Sequence, residues 1–195
     1  MIHAPWKVIL ALVVSLVALS GCSLLPAAAP PAKLHDFGPL AADVDASPAA
    51  IHSVTVDAPA WLADDAIHYR LLYADPTALR SYADNRWAAA PADLLGAGLG
   101  YLLPYHPAAT SGDLFELHVT VLEFEQDFSA ATQASATVVM DASLMRSADG
   151  KMIAQRRFRW SVPTDPGISG AVAGLAKLGA QSETDIAAWA REQLK

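Results

Sequence analysis

Phe115-Glu116-Leu117-His118-Val119-Thr120-Val121-Leu122-Glu123-Phe124-Glu125-Gln126-Asp127-Phe128 is the stretch on which the fold turns. From Phe115 to Val121, apolar Phe115, Leu117, Val119 and Val121 alternate with Glu116, His118 and Thr120. That is the period-two pattern of a strand with one buried face. After Val121 the phase changes: Leu122, Phe124 and Phe128 carry the apolar character, while Glu123, Glu125 and Asp127 are polar. A one-residue slip turns every following side chain to the other face, so the spacing predicts a bulge or sharp twist at Val121–Glu123.

Downstream, Ala136, Val138, Met140, Ala142 and Leu144 mark the inward face of a second strand, and Ser147-Ala148-Asp149-Gly150 reads as a hairpin turn. The returning strand has Met152, Ala154, Phe158, Trp160 and Val162 on one face and Lys151, Gln155, Arg157 and Arg159 on the other. Arg156 falls on the inner face, which calls for a buried acceptor. A helical pattern closes the chain through Ala171, Leu175, Leu178, Ile186 and Trp189. Gly179 is expected to bend or split this helix, with Ser182 and Asp185 capping the last segment.

Upstream, short strands are expected around Leu34, Phe37 and Leu40, at Ile51–Val56, at Ile67–Tyr73 and from Leu79 through Tyr82. Pro91 opens a helix with Asp93 in its first turn, and Pro104 ends it. Gly96, Gly98 and Gly100 weaken that helix, so close packing against its glycine face is expected. Strands with helices segregated from them give an α+β class: a mixed or antiparallel sheet with helices on one face, a two-layer sandwich.

The N-terminus carries a different signal. Val8 to Leu19 is an apolar run interrupted only by Ser15, preceded by Lys7 and followed by Ser20-Gly21-Cys22. About 12 residues fall short of the roughly 20 that span a bilayer, so residues 1–21 read as a secretory signal rather than a membrane anchor. Leu19-Ser20-Gly21-Cys22 matches a bacterial lipobox, in which the cysteine thiol is acylated and becomes the first mature residue. Cys22 is the one cysteine, so the chain has no internal disulfide. Residues 22–32, rich in Pro and Ala, read as a semi-extended tether, and 33–195 as a single periplasmic domain. Ser23 stands where an aspartate would favour the inner membrane, which points to the outer one. Cleavage would leave 12 of the 13 basic side chains against all 20 acidic ones. An acidic surface of that kind opposes nucleic-acid binding.

No catalytic constellation has the right spacing. His35, His52, His68, His106 and His118 are scattered singly, so no metal site is expected. No cofactor motif is present, because Gly96-Ala97-Gly98-Leu99-Gly100 lacks the lysine and the strand-to-helix context of a phosphate loop. Ser169-Gly170 is a weak nucleophile candidate. Glu116, Glu123, Glu125 and Asp127 read as the solvated face of the strand rather than an acid and base pair. Arg157 and Arg159 read as its cross-strand complement or a partner surface.

Tyr69-Arg70, Leu79, Tyr82, Asn85-Arg86-Trp87-Ala88, Pro91, Leu94-Leu95, Phe124-Glu125, Asp149-Gly150, Phe158 and Asp185-Ile186-Ala187-Ala188-Trp189 occur in an order that resembles the ABC-type transport auxiliary lipoprotein family. The stretch Trp61-Leu62-Ala63-Asp64-Asp65-Ala66 departs from that pattern. The resemblance implies a non-enzymatic docking subunit of an MCE-type ABC lipid transport system, lipid-anchored at the outer membrane. Its partners would be an MCE-domain periplasmic conduit or an ABC permease, with self-association left open. Arg86 and Trp87 are the partner-binding candidates, being residue types that dominate interfaces; Trp87 as a core anchor is the competing assignment. A lipid-binding module that carries the cargo itself is the alternative function.

Overall fold

The expected phase change is a bulge. In the computed structural model, which describes residues 31–39, 51–103 and 114–194, the register of β5 (Phe115–Ala130) against β6 (Gln133–Arg146) shifts between Val121 and Glu123. Leu122 is the extra residue, and the shift keeps Leu117, Val119, Val121, Phe124 and Phe128 all buried on one face. The signal segment, Cys22, nearly all of the tether, Leu40, Pro104 and His106 lie outside the described residues.

The same discontinuity organises the other edge of β5. Strand β2 (Ile51–Asp57) runs parallel to its first half, from Ile51 opposite Phe115 to Asp57 opposite Thr120. Strand β3 (Ala66–Leu71) runs parallel to its second half, from His68 opposite Glu125 to Leu71 opposite Phe128. Between them the chain leaves the sheet through a 3-10 turn, Ala60–Leu62, and returns Leu62 to the core. Strand β4 (Asp75–Trp87) pairs antiparallel to β3, and β1 (Lys33–His35) adds parallel to the end of β4. Strand β7 (Met152–Thr164) pairs antiparallel to β6 and ends the sheet order β1-β4-β3-β5-β6-β7. Gly150, at φ 67°, supplies the left-handed residue of the β6–β7 turn.

Helices α1 (Pro91–Leu102) and α2 (Ile168–Glu192) join the core against the inner face of this sheet, giving the α+β class expected. Helix α2 is continuous, not split at Gly179. A Cβ on Gly179 would stand 2.8–2.9 Å from ring carbons of Phe37, so the glycine admits an aromatic ring against an unbroken helix. Ser182 is likewise no cap: it is buried in mid-helix and donates to the Gly179 carbonyl at 2.7 Å. The glycine face of α1 is used at one point above all. Gly98 lies under the carboxylate of Glu183, where a Cβ would stand 2.2 Å from Oε1. At the far end of α1, the Arg191 guanidinium donates to the Leu102 carbonyl, satisfying one of the free acceptors of a helix C-terminus.

Gly174 sets the distance between α2 and the sheet, because an added Cβ would stand 2.4 Å from Thr164 Cγ2 and 2.8 Å from Ala136 Cβ. Gly174→Ala is expected to destabilise the chain by about 1–2 kcal/mol, since overpacking outweighs the gain in helix propensity; thermal melting should show a lower Tm. Glu183 is 4% exposed, and burial pushes its carboxyl up to about 7. The folded state therefore holds this proton more tightly than the unfolded state. The stability it confers is complete below the unfolded pKa and is lost as pH rises toward and through 7, by at most about 3 kcal/mol. Urea unfolding at pH 5 and pH 8 should show this decline in the wild type and a flatter profile in Glu183→Gln.

Candidate functional site

The carboxylates of β5 divide by burial. Glu125 is 6% exposed rather than solvent-facing, because β3 places Arg70 beside it. Arg70 Nε donates to Glu125 Oε1 at 2.7 Å and Nη2 to Oε2 at 3.1 Å, a bidentate pair that raises the arginine pKa. A third donor, Nη1, reaches the Pro76 carbonyl at 3.1 Å. Asp127, on the same face, has its pKa raised chiefly by burial. The arginine row complements the β5 carboxylates as expected at Arg159, which reaches across β6 to Glu123 at 3.2 Å, whereas Arg157 donates instead to Asp141 on β6 at 2.7 and 2.6 Å. The Arg157 guanidinium holds the Asp141 carboxyl below the usual range. Glu123 and Glu125 are thus each tied to an arginine, an arrangement suited to fixing a surface rather than moving protons.

One set of side chains has the members of a nucleophile, base and acid. Ser147 Oγ lies 3.1 Å from His52 Nδ1, and Glu116 Oε1 lies 3.7 Å from His52 Nε2. Its wiring is structural. Nδ1 also faces the Phe115 carbonyl at 3.2 Å, which requires a proton on that nitrogen and removes its capacity to accept one from Ser147. His118 Nε2 approaches the same Glu116 at 3.3 Å. His35 pairs with Asn85 at 2.9 Å and His68 with Asp64 at 3.0 Å. Among the described residues no group of three or more acidic, histidine or cysteine side chains is arranged to hold a metal. Ser169 is exposed in the first turn of α2, with no imidazole hydrogen-bonded to it among the described residues.

Arg86 and Trp87 end β4 and separate in role. Trp87 is fully buried, in edge-on contact with Phe37 at 5.4 Å and Phe124 at 5.8 Å, which makes it a core anchor. Arg86 is half-exposed and donates to Asp65 at 3.0 Å. The Asp65 carbonyl also accepts from the Trp87 N–H at 2.8 Å.

A larger feature lies along the β7 edge. A cleft of about 540 Å³ runs between β7 and the C-terminal half of α2, lined by Arg156, Phe158, Trp160, Asp185, Trp189 and Glu192 among others. Phe158 and Trp160 stack at 5.3 Å, Trp189 meets Phe158 edge-on at 5.8 Å, and Trp160 Nε1 donates to Asp185 at 2.8 Å. Arg156 sits on the inner face as expected but is exposed, because β7 is the sheet edge. In place of a buried acceptor it has the Phe158 ring, 4.6 Å away. Sequence reasoning missed this cleft because it depends on which strand lies at the edge. The signal available was the run Arg156-Arg157-Phe158-Arg159-Trp160 itself.

The model of the family described as ABC-type transport auxiliary lipoprotein component matches residues 33–187, from β1 deep into α2. This chain belongs to that family. The residues that carried the resemblance meet around β5 within the fold: Arg70 on Glu125, Trp87 on Phe124, and Tyr82, whose hydroxyl donates to Gln126 at 2.7 Å. Among solved structures, a DUF330 protein from Xanthomonas campestris is similar at 18% identity and a TM-score of 0.69, covering 83% of this chain and 96% of its own. An uncharacterized protein is similar at 19% identity and a TM-score of 0.60, covering 82% and 99%. Both likenesses are of fold. No curated protein matches the chain significantly.

Removing one partner of the Arg70–Glu125 pair leaves a buried charge uncompensated. Arg70→Met is expected to destabilise the chain by roughly 3–5 kcal/mol, and Glu125→Gln combined with it to recover part of that loss. Chemical denaturation of the two variants checks both outcomes.

Proposed function

We propose that the protein is a non-enzymatic docking subunit of an MCE-type ABC lipid transport system, held at the periplasmic face of the outer membrane by lipid on Cys22. The observation that carries this reading is the family match over residues 33–187 placed behind the lipobox Leu19-Ser20-Gly21-Cys22. Residues 1–21 act as the signal and 22–32 as the tether. The domain from residue 33 onward then stands off the membrane within reach of a conduit arriving from the inner membrane. Two or three acyl chains make such an anchor effectively permanent, since each buried methylene adds about 0.8 kcal/mol.

Docking is supported over carriage of a two-chain lipid by how the inner face is filled. Ala136, Ala142, Leu144 and Met140 are fully buried beneath the helices, with Gly174 against Ala136, so packed side chains fill the space where a carrier needs a wide apolar cavity. For the partner surface, the β7–α2 cleft offers arginine and aromatic side chains together, the composition of interface hot spots. Arg86, with Trp87 fixing the strand beneath it, is the second candidate.

Two measurements test the reading in cells that carry the transport system. Cys22→Ser should move the protein from the membrane to the released periplasmic fraction; continued membrane retention contradicts the anchor. A photo-crosslinking residue in place of Glu192, in the cleft, should capture an MCE-domain protein. Absence of that adduct, with stoichiometric phospholipid on the purified protein by native mass spectrometry, would instead favour a carrier.

A further inference from the structure

Glu183 is a buried carboxyl with no hydrogen-bond or ion-pair partner among the described residues, and it faces a cavity. The cavity, about 420 Å³, lies between α1, α2 and the segment after β1. Its apolar walls come from Phe37, Pro39, Leu94, Ala97 and Leu102. The carboxylate rests on Gly98, which also lines the cavity and whose missing Cβ makes the room for it. Asp36 adds a second acid at the exposed rim, where it accepts from the Gly38 N–H at 2.9 Å. No lysine, arginine or histidine is among the described lining residues. Thr184, also lining the cavity, spends its hydroxyl on the Ala180 carbonyl at 3.2 Å.

Each part of this arrangement asks for the same kind of occupant. A carboxylate with 4% exposure and no protein donor is costly, and a cationic donor offsets that cost more fully than the little water that reaches it. The walls accept a hydrocarbon body, and the volume lies in the range of small-molecule sites. Two acids without a base select against anions and zwitterions whose negative group would follow the amine inside. We propose that this cavity binds a small amphiphilic amine, with one positive charge placed on Glu183 and its apolar body between Phe37, Leu94 and Leu102. The site is distinct from the β7–α2 cleft and stands whether or not the docking role does.

Hexylammonium is a suitable probe, with hexanol and hexanoate as controls of equal chain length. Isothermal titration calorimetry on the mature chain carrying Cys22→Ser at pH 8 should show saturable one-to-one binding of hexylammonium. Hexanol should bind at least tenfold more weakly, and hexanoate more weakly still. Glu183→Gln should bring hexylammonium down to the level of hexanol, and Ala97→Phe, which crowds the exposed mouth from α1, should abolish binding of both. The proposal is overturned if the wild type binds no hexylammonium, if hexylammonium and hexanol bind alike, or if Glu183→Gln leaves the affinity unchanged. Should circular dichroism show that Glu183→Gln is unfolded, Ala97→Phe decides: unchanged hexylammonium binding by that variant equally rules the site out.

Discussion

Everything in this fold depends on β5 keeping one face in the core along its whole length while changing neighbours halfway. A strand of 16 residues with strict alternation would either twist away from its partners or expose half of its apolar side chains. The sequence carries one extra residue, Leu122, and the bulge absorbs it, so the second half keeps the same inner face. On one edge β6 follows β5 throughout and absorbs the shift. On the other, β2 is spent by the time the bulge begins, and β3 starts after it. The chain between β2 and β3 has to leave the sheet there, and Leu62 from that excursion fills the core beside the break.

The two halves of β5 are then held by different chemistry. Around the first half the core is aliphatic, built from Leu117, Val119, Val121, Met140 and Leu144. Around the second it is aromatic and polar. Phe124 packs with Phe37 and Trp87, and the fully buried Gln126 amide accepts from Tyr82 while donating to Thr164 Oγ1 at 2.7 Å and the Asp165 carbonyl at 2.9 Å. Burial pushes the Tyr82 hydroxyl up to about 12, so it remains a donor across the physiological range. Because Gln126 has its donors and acceptor all used, it ties β4, β5 and the turn into α2 without an unsatisfied group. The outer face follows the same logic with charges, and the cost of burying Glu125 is met by two parallel bonds from Arg70. A rigid scaffold of this kind presents fixed surfaces, which suits docking.

Local pattern carried much of this. The bulge is legible because a period of two leaves a visible phase error when one residue is added, and the Asp149-Gly150 turn follows from adjacent antiparallel strands. What local pattern could not show was contact between distant segments. Glu125 looked solvated because its partner, Arg70, lies 55 residues away on a parallel neighbour. Gly179 looked like a helix breaker because Phe37 is far away in sequence, and Ser182 looked like a cap because its bond to a carbonyl within its own helix leaves no periodic trace. Arg156 was placed on the correct face and given the wrong surroundings, since nothing local says that β7 is an edge. The lipobox match, by contrast, needs no fold to be read, and the acylation proposed from it falls on one named atom, the Cys22 thiol.

The most direct test of the central claim is the thermal unfolding of a chain with one alanine inserted between Val139 and Met140 of β6. The inserted residue gives Leu122 the partner it lacks and removes the bulge, and strict alternation then turns Phe124, Gln126 and Phe128 to the outer face. The account predicts loss of the cooperative melt and of near-ultraviolet circular dichroism from the aromatic cluster. An insertion variant that melts cooperatively at the wild-type temperature with its near-ultraviolet signal intact would contradict it.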